Sequence, residues 1–226
     1  VFSDLQAGAE RVLRLAAPAS VLNSSFRHVI AAYRLAHPEV RLTLIDAPSR
    51  VAWRMVESDT ADLAIVGVPD GIDMPARLSV EPMASYPFEL IFPEGHPLSK
   101  LKRVGLREIL SHPLILAGED SSSRLQFDQV VAKAGLTSKV NVVMTAGNVP
   151  SILNYVGLGI GVAILTRSAI EAISFPVVKK AGLAHRDVST VLGHDNLVLV
   201  HPKGRHELGH VRVFREMAAS SLKSSD

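Results

Sequence analysis

Cysteine is absent from the 226-residue chain. That removes disulfides and thiolate metal sites from consideration, and it suits a cytoplasmic protein, the location expected here. Charge of one sign is also scarce. Lys and Arg total 24 against 22 Asp and Glu, a net charge of +2. Nucleic-acid surfaces concentrate Lys and Arg on one face, so this segment is not expected to touch DNA itself. No apolar run reaches the roughly 20 residues of a membrane span, and no secretory leader is visible, so no membrane partner is expected. The G-x-S-x-G elbow of hydrolases and the phosphate-binding P-loop are both missing. What remains is a globular chain, 47% apolar and 20% charged, long enough for one large core or two small ones.

The organising stretch is Arg14 to Asp46. Arg14 to Ala17 reads as a short apolar strand, broken by Pro18 and Ser20, and Ser20 stands where a helix N-cap is expected. Leu22, Phe26, Val29, Ile30 and Tyr33 recur at helical spacing. His37-Pro38 ends that helix, because the residue before proline avoids helical geometry. Val40, Leu42 and Leu44 then alternate as a strand. The product is a βαβ unit with a right-handed crossover.

Around this unit the chain repeats its architecture. Val1 to Leu13 reads as the end of a helix. Pro48-Ser49 opens a second helix, with Ala52, Met55 and Val56 inward, and Leu63 to Val66 forms a third strand. Pro69 to Pro87, rich in Pro, Gly and Asp, marks a boundary. Strands follow at Phe88–Phe92, Pro113–Ala117, Val140–Met144 and Ile160–Leu165. Helices lie between them, one bearing Leu125, Val130, Val131 and Ala134 and ending at Gly135, the other capped by Asn148 with Pro150 in its first turn. Asn196–Val200 returns as a strand before a last helix with Leu208, Val211, Phe214, Ala218 and Leu222 on one face. Strands at 88–92 and 196–200 are candidate crossovers. The pattern is α/β, two Rossmann-like lobes with a cleft between them.

Ser20, Ser49, Ser121, Ser122, Ser123, Thr145 and Asn148 are expected just past strand ends, at helix starts. Ligands of open α/β sheets bind there, and helix N-termini favour anions. Each residue alone has a simpler role as a helix cap; their distribution over both halves is what points to a ligand. Arg124 is a candidate counter-charge, with an exposed helical Arg as the plain alternative. Gly157-Leu158-Gly159-Ile160-Gly161 lacks dinucleotide spacing and context, so helix termination and close packing explain it. His206-Glu207-Leu208-Gly209-His210 matches the H-E-x-x-H of zinc proteases, but Gly209 weakens the helix and a third ligand is wanting, so a solvated first turn is the expectation. No metal, cofactor or catalytic residue is therefore assigned, and Trp53 reads as core or interface.

The Arg14–Asp46 unit, with its Tyr-Arg-Leu-Ala-His-Pro-Glu-Val close, resembles the effector-binding domain of LysR-type transcriptional regulators. Ala61-Asp62-Leu63-Ala64-Ile65-Val66, Pro93-Glu94-Gly95-His96-Pro97-Leu98 and Val156 to Val162 extend the resemblance over nearly the whole chain. It implies a type II periplasmic-binding-protein-like fold, with residues 1–86 and 188–226 as lobe I and 87–187 as lobe II, joined by two crossover strands. It also implies a small effector, expected to be an anion, at Ser20 and Ser49 among others. The winged helix-turn-helix of that family is expected to precede this segment, so that DNA is contacted only there. A homodimer or higher homo-oligomer is implied, pairing the 20–37 helix (His28, Ala31, Ala32, Leu35) with the 122–134 helix (Phe127, Val130, Ala134) of a second copy. The alternatives are an extracytoplasmic solute-binding protein of a transporter, or a transferase or hydrolase on the same fold.

Overall fold

The computed structural model describes residues 11–24, 26–173, 178, 182–204 and 206–221. Contacts divide the chain into two compact units. The first holds residues up to Val66, Asp73–Ala84 and Leu197 onward; the second holds Gly67–Ile72 and Ser85–Asn196.

The first unit begins with strand β1, Arg11–Ala17. Leu13, Leu15, Ala16 and Ala17 are all buried, and this apolar run sits between two partners. Strand β2, Val40–Asp46, pairs with it in parallel from Arg11↔Val40 to Ala17↔Asp46. Strand β3, Leu63–Pro69, pairs in parallel on the other side. Residues 11–13 thus belong to a strand rather than to the expected helix end, because the ladder with β2 claims their backbone; residues 1–10 lie outside the described residues.

The expected single helix after β1 is two pieces, α1 at Ala19–Leu22 and α2 at Phe26–Ala36. Ser24 makes the break. Its hydroxyl donates to the Val21 carbonyl at 2.6 Å, a local side-chain bond that competes with helix continuation. In α2, Phe26, Val29 and Tyr33 face inward. Helix α3, Ser49–Glu57, follows β2 and buries Ala52, Trp53 and Val56. Tyr33 meets Phe214 edge-on at 5.2 Å and donates its hydroxyl to the His210 carbonyl at 2.7 Å. That holds α2 to the last helix, Gly209–Ser221. Val211, Phe214 and Ala218 of this helix are buried. Leu208 is exposed and precedes the helix, because the helix begins only at Gly209; Leu222 lies outside the described residues.

The second unit is built on β4, Leu78–Pro93, longer than the expected 88–92. Its partners are β7, Val162–Thr166, and β8, Leu183–Asp187, both antiparallel to it. Strand β5, Leu114–Ala117, runs parallel to β7 and to β6, Val142–Ala146. Helices α4, Leu106–Leu110, α5, Ser122–Lys133, α6, Val149–Gly157, α7, Arg167–Glu171, and α8, Ser189–Leu192, pack around these strands among the described residues. The alternation of β4 sorts two cores. Phe88, Leu90 and Phe92 pack with Leu114, Leu116 and Phe127, while Ile91 packs with Ile115, Ile152 and Val156. The two-residue period of a strand requires this. Strands β4 and β9, His194–Pro202, each carry the chain from one unit into the other.

Helix α5 departs from its expected face. Ser122, Ser123, Gln126, Phe127 and Val131 are the buried residues, and Ala134 is exposed. Phe127, expected outward, is 0% exposed. Burying a side chain of that size contributes about 1.5–3 kcal/mol, more than the small outward residues of α5 offer, so the aromatic ring sets the orientation. Gly135 takes φ +68° just past the helix, as a left-handed terminator should. Gly157 closes α6, and at Gly161 a Cβ would fall 2.6 Å from the Pro113 carbonyl oxygen; close strand packing accounts for that glycine.

Candidate functional site

Parallel pairing decides where the candidate residues go. In the first unit, Ala17 and Asp46 end the β1–β2 ladder together. The turns that follow therefore lie side by side. The Asp46 carboxylate accepts the Ala19 N–H at 2.8 Å, and Ala47 N–H donates to the Ala17 carbonyl at 3.2 Å. Ser20 sits on one of these turns and Ser49 on the other. Ser20 is not a cap: Pro18 holds the N-cap position of α1 without a side-chain bond, and Ser20 is the second helical residue. The acid from the neighbouring turn satisfies one of the N–H groups that the helix start leaves free. Ser49 is the first residue of α3, behind Pro48, and is 2% exposed.

The second unit repeats the arrangement. Ala117 and Ala146 end the β5–β6 ladder in register, which brings the turn before α5 beside the turn before α6. Ser121 is a true cap, accepting the Arg124 N–H at 3.2 Å and donating to the Gly118 carbonyl at 2.8 Å. Asn148 is another, its Oδ1 accepting the Ser151 N–H at 2.9 Å. Ser122 and Ser123 are buried. Thr145 lies inside β6 and is exposed, not past its end, because the ladder runs one residue further. Arg124 is neither exposed nor a spare cation. Its side chain is 16% exposed and pairs with Asp128 one turn on, at 2.8 Å.

Three residues the sequence reading passed over join Ser122. Asp195, at the start of β9, accepts the Ser122 hydroxyl at 3.0 Å through Oδ2. Its Oδ1 has no hydrogen-bond partner among the described residues. Gly67 of β3 lies against this carboxylate, since a Cβ there would stand 2.3 Å from Oδ2. Gln126 donates to the Leu192 carbonyl and leaves its Oε1 without a partner among the described residues. Burial pushes the Asp195 carboxyl up to about 7; the Ser122 bond lowers it and the charge of Asp70 raises it further. One signal was legible: Gly67 interrupts the otherwise apolar Leu63–Pro69 run, and a glycine inside a strand marks a close approach.

The H-E-x-x-H stretch does not form one helical face. His206 and Glu207 precede the helix. Glu207 pairs with Arg215 at 2.9 Å, and His210 Nε2 lies 3.0 Å from the Val12 carbonyl oxygen. Elsewhere on the first unit, a groove of about 690 Å³ is lined by Arg27, Ile30, Arg34 and Leu42 among others. A smaller one of about 270 Å³ is lined by Arg14, Asp62, His201 and Glu207 among others. None of the seven candidate residues lines either. No described helix is long and apolar enough to cross a membrane.

Asp195 yields a stability prediction. Its folded pKa of about 7 lies above the 3.8 of an ordinary aspartate, so the folded chain binds more protons than the unfolded one between those values. Its contribution to stability therefore falls as pH rises from about 4 to about 7. Asp195→Asn should be the more stable protein above pH 7, by about 1–4 kcal/mol, and nearly equal to wild type below pH 4. Urea titrations across that range check this; a variant less stable than wild type at pH 8 contradicts it.

A transcriptional regulator of Escherichia coli (strain K12), described as HTH-type transcriptional regulator cbl, is 25% identical over 215 residues, covering 95% of this chain and 65% of that protein. The chain spans between 42% and 65% of the length of the curated relatives it matches. Among solved structures, the effector binding domain of QuiR in complex with shikimate superposes with TM-score 0.80 at 12% identity, covering 96% of this chain and 99% of that one. The regulatory domain of CcmR from Synechocystis PCC6803, in complex with 2-PG, gives 0.79 at 17% identity, covering 95% and 98%. At such identities these structures establish the fold alone, the type II periplasmic-binding-protein-like arrangement that the family resemblance implies. The family model described as the LysR substrate binding domain matches residues 6–223, and the chain belongs to that family.

Proposed function

We propose that this domain senses a small anionic effector for a LysR-type transcriptional regulator, and that it is a sensor rather than a catalyst. The observation behind the reading is the pairing of strand-end turns in each unit: Ser20 beside Ser49, and Ser121, Ser122 and Ser123 beside Asn148, with Thr145 in the last residues of β6. These seven residues are the proposed effector contacts, with residues 1–86 and 188–226 as lobe I and 87–187 as lobe II. The effectors named for QuiR and CcmR, shikimate and 2-PG, support a small ligand. Effector binding shifts the domain between conformations by no more than its difference in affinity for them, and transcription follows through a separate DNA-binding part. In this reading the protein acts in the cytoplasm.

Ser20→Ala and Ser49→Ala should each weaken binding of the effector by about 0.5–1.5 kcal/mol per neutral hydrogen bond lost, and by somewhat more where the acceptor is charged. Both variants should melt as wild type does. Calorimetric titration finding unchanged affinity in both would remove the first unit's turns from the site.

We further propose a homodimer in which the outer face of α2 meets the outer face of α5 of a second copy. His28, Ala31, Ala32 and Leu35 are all exposed, Leu35 at 83%, and Ala134 is exposed on the other helix. Phe127 and Val130 are withdrawn from that interface, because both pack into the core of the second unit. A twofold pairing uses each patch twice. Ala31→Glu with Ala134→Glu should give monomers that still melt cooperatively, as read by sedimentation. A double variant that stays dimeric at low micromolar concentration places the interface elsewhere.

A further inference from the structure

Four buried polar side chains, Ser122, Ser123, Gln126 and Asp195, cluster around the start of α5 in the second unit. Ser122 is one of the proposed effector contacts, and its hydroxyl is already engaged. A hydroxyl has one proton to give. While Asp195 is a carboxylate, that proton points at Oδ2, and Ser122 offers a ligand only lone pairs. An anion needs the reverse, a donor.

The surroundings of Asp195 sharpen the problem. Asp70 is the charged group that faces it. Asn196, the next residue along β9, turns its Nδ2 to Asp70 at 2.7 Å and accepts the Ser85 hydroxyl at 3.0 Å. From α5 the neighbours are Ser122 and Gln126. From β3 it is Gly67, with no side chain to offer. Among the described residues no cation pairs with Asp195, and the nearby Arg124 is held by Asp128. A bare carboxylate enclosed in this way carries an uncompensated charge and an orphaned oxygen, each costly in a low-dielectric interior. A proton removes the first. It also reverses the bond to Ser122: the carboxylic acid donates to Ser122 Oγ, and the serine proton turns outward.

We propose that Asp195 is a specificity-determining residue of the effector site, and that an anionic effector binds with uptake of one proton from solvent onto the Asp195 carboxyl. No covalent bond other than this O–H bond forms or breaks. The effector's charge is matched by neutralising an acid, since Arg124, the cation of this turn, is already paired with Asp128. Asp195 acts through Ser122, which gains a donor role only when its neighbour is protonated. Burial has pushed the carboxyl up to about 7, so the uptake costs little near neutral pH. This inference rests on the anionic-effector reading above.

Isothermal titration of sulfate, benzoate and shikimate against the wild type and Asp195→Asn, between about pH 6 and 9, tests it. None of these anions titrates in that range. Wild-type affinity for whichever anion binds should weaken toward about tenfold per pH unit above pH 7. Titrations in buffers of different ionisation enthalpy should show proton uptake. Asp195→Asn mimics the neutral acid; its affinity should be independent of pH and about tenfold tighter than wild type at pH 8. A merely structural aspartate would not give tighter binding when removed. Binding without a pH slope in the wild type, or a slope that survives in Asp195→Asn, overturns the inference and leaves the effector reading standing. Failure of all three anions to bind either protein overturns the anionic-effector reading itself, and this inference with it.

Discussion

Parallel strand pairing is the constraint on which the rest depends. Strands β1 and β2 run in register over seven residue pairs, from Arg11↔Val40 to Ala17↔Asp46. Parallel neighbours must be joined by crossovers, so both strands end at the same edge, and both following turns open helices there. The same logic places the turns after β5 and β6 together. Backbone N–H groups at the starts of helices lack partners within the helix, and two adjacent starts concentrate such donors. Each unit thereby gains a polar edge of its own, set in the first by Ser20, Ser49 and Asp46 and in the second by Ser121, Ser122 and Asn148.

Much of this was legible in the sequence, for physical reasons. The strand at Val40–Asp46 and the Pro38 and Pro48 boundaries depend on local sterics and periodicity, which one chain displays, although Leu44 is exposed where alternation predicts burial. The family resemblance, quoted from short segments, was confirmed over residues 6–223. What failed was decided by tertiary competition. Ser20 lost its expected cap position because the helix starts earlier, at Ala19 behind Pro18, where Asp46, far along the chain, satisfies the Ala19 N–H. Phe127 turned inward because the largest apolar group of α5 determines which face is buried. Asp195 was invisible because its partner Ser122 is remote in sequence, and nothing local marks an acid as enclosed; only Gly67 hinted that something approaches β3 closely.

The buried polar cluster of the second unit differs in kind from the surrounding core. Phe88, Leu90, Phe127 and Val131 pack without polar atoms, whereas Ser122, Gln126 and Asp195 place hydrogen-bonding groups in the same low-dielectric interior. Two of those groups, Asp195 Oδ1 and Gln126 Oε1, find no partner among the described residues. Such groups destabilise a domain by about 1–3 kcal/mol each. A sensor that must respond to a ligand is a natural place to hold them, since ligand or proton then changes their energy more than that of any satisfied group.

The most direct test of the account is amide chemical-shift mapping of the isotopically labelled domain during titration with an anion that it binds. The largest changes should fall at Ala19–Val21, Ser49–Arg50, Ser122–Arg124, Val149 and Ser151, the paired turns at the strand ends. Changes confined to the α2–β2 groove, at Ile30, Arg34 and Leu42, would contradict it.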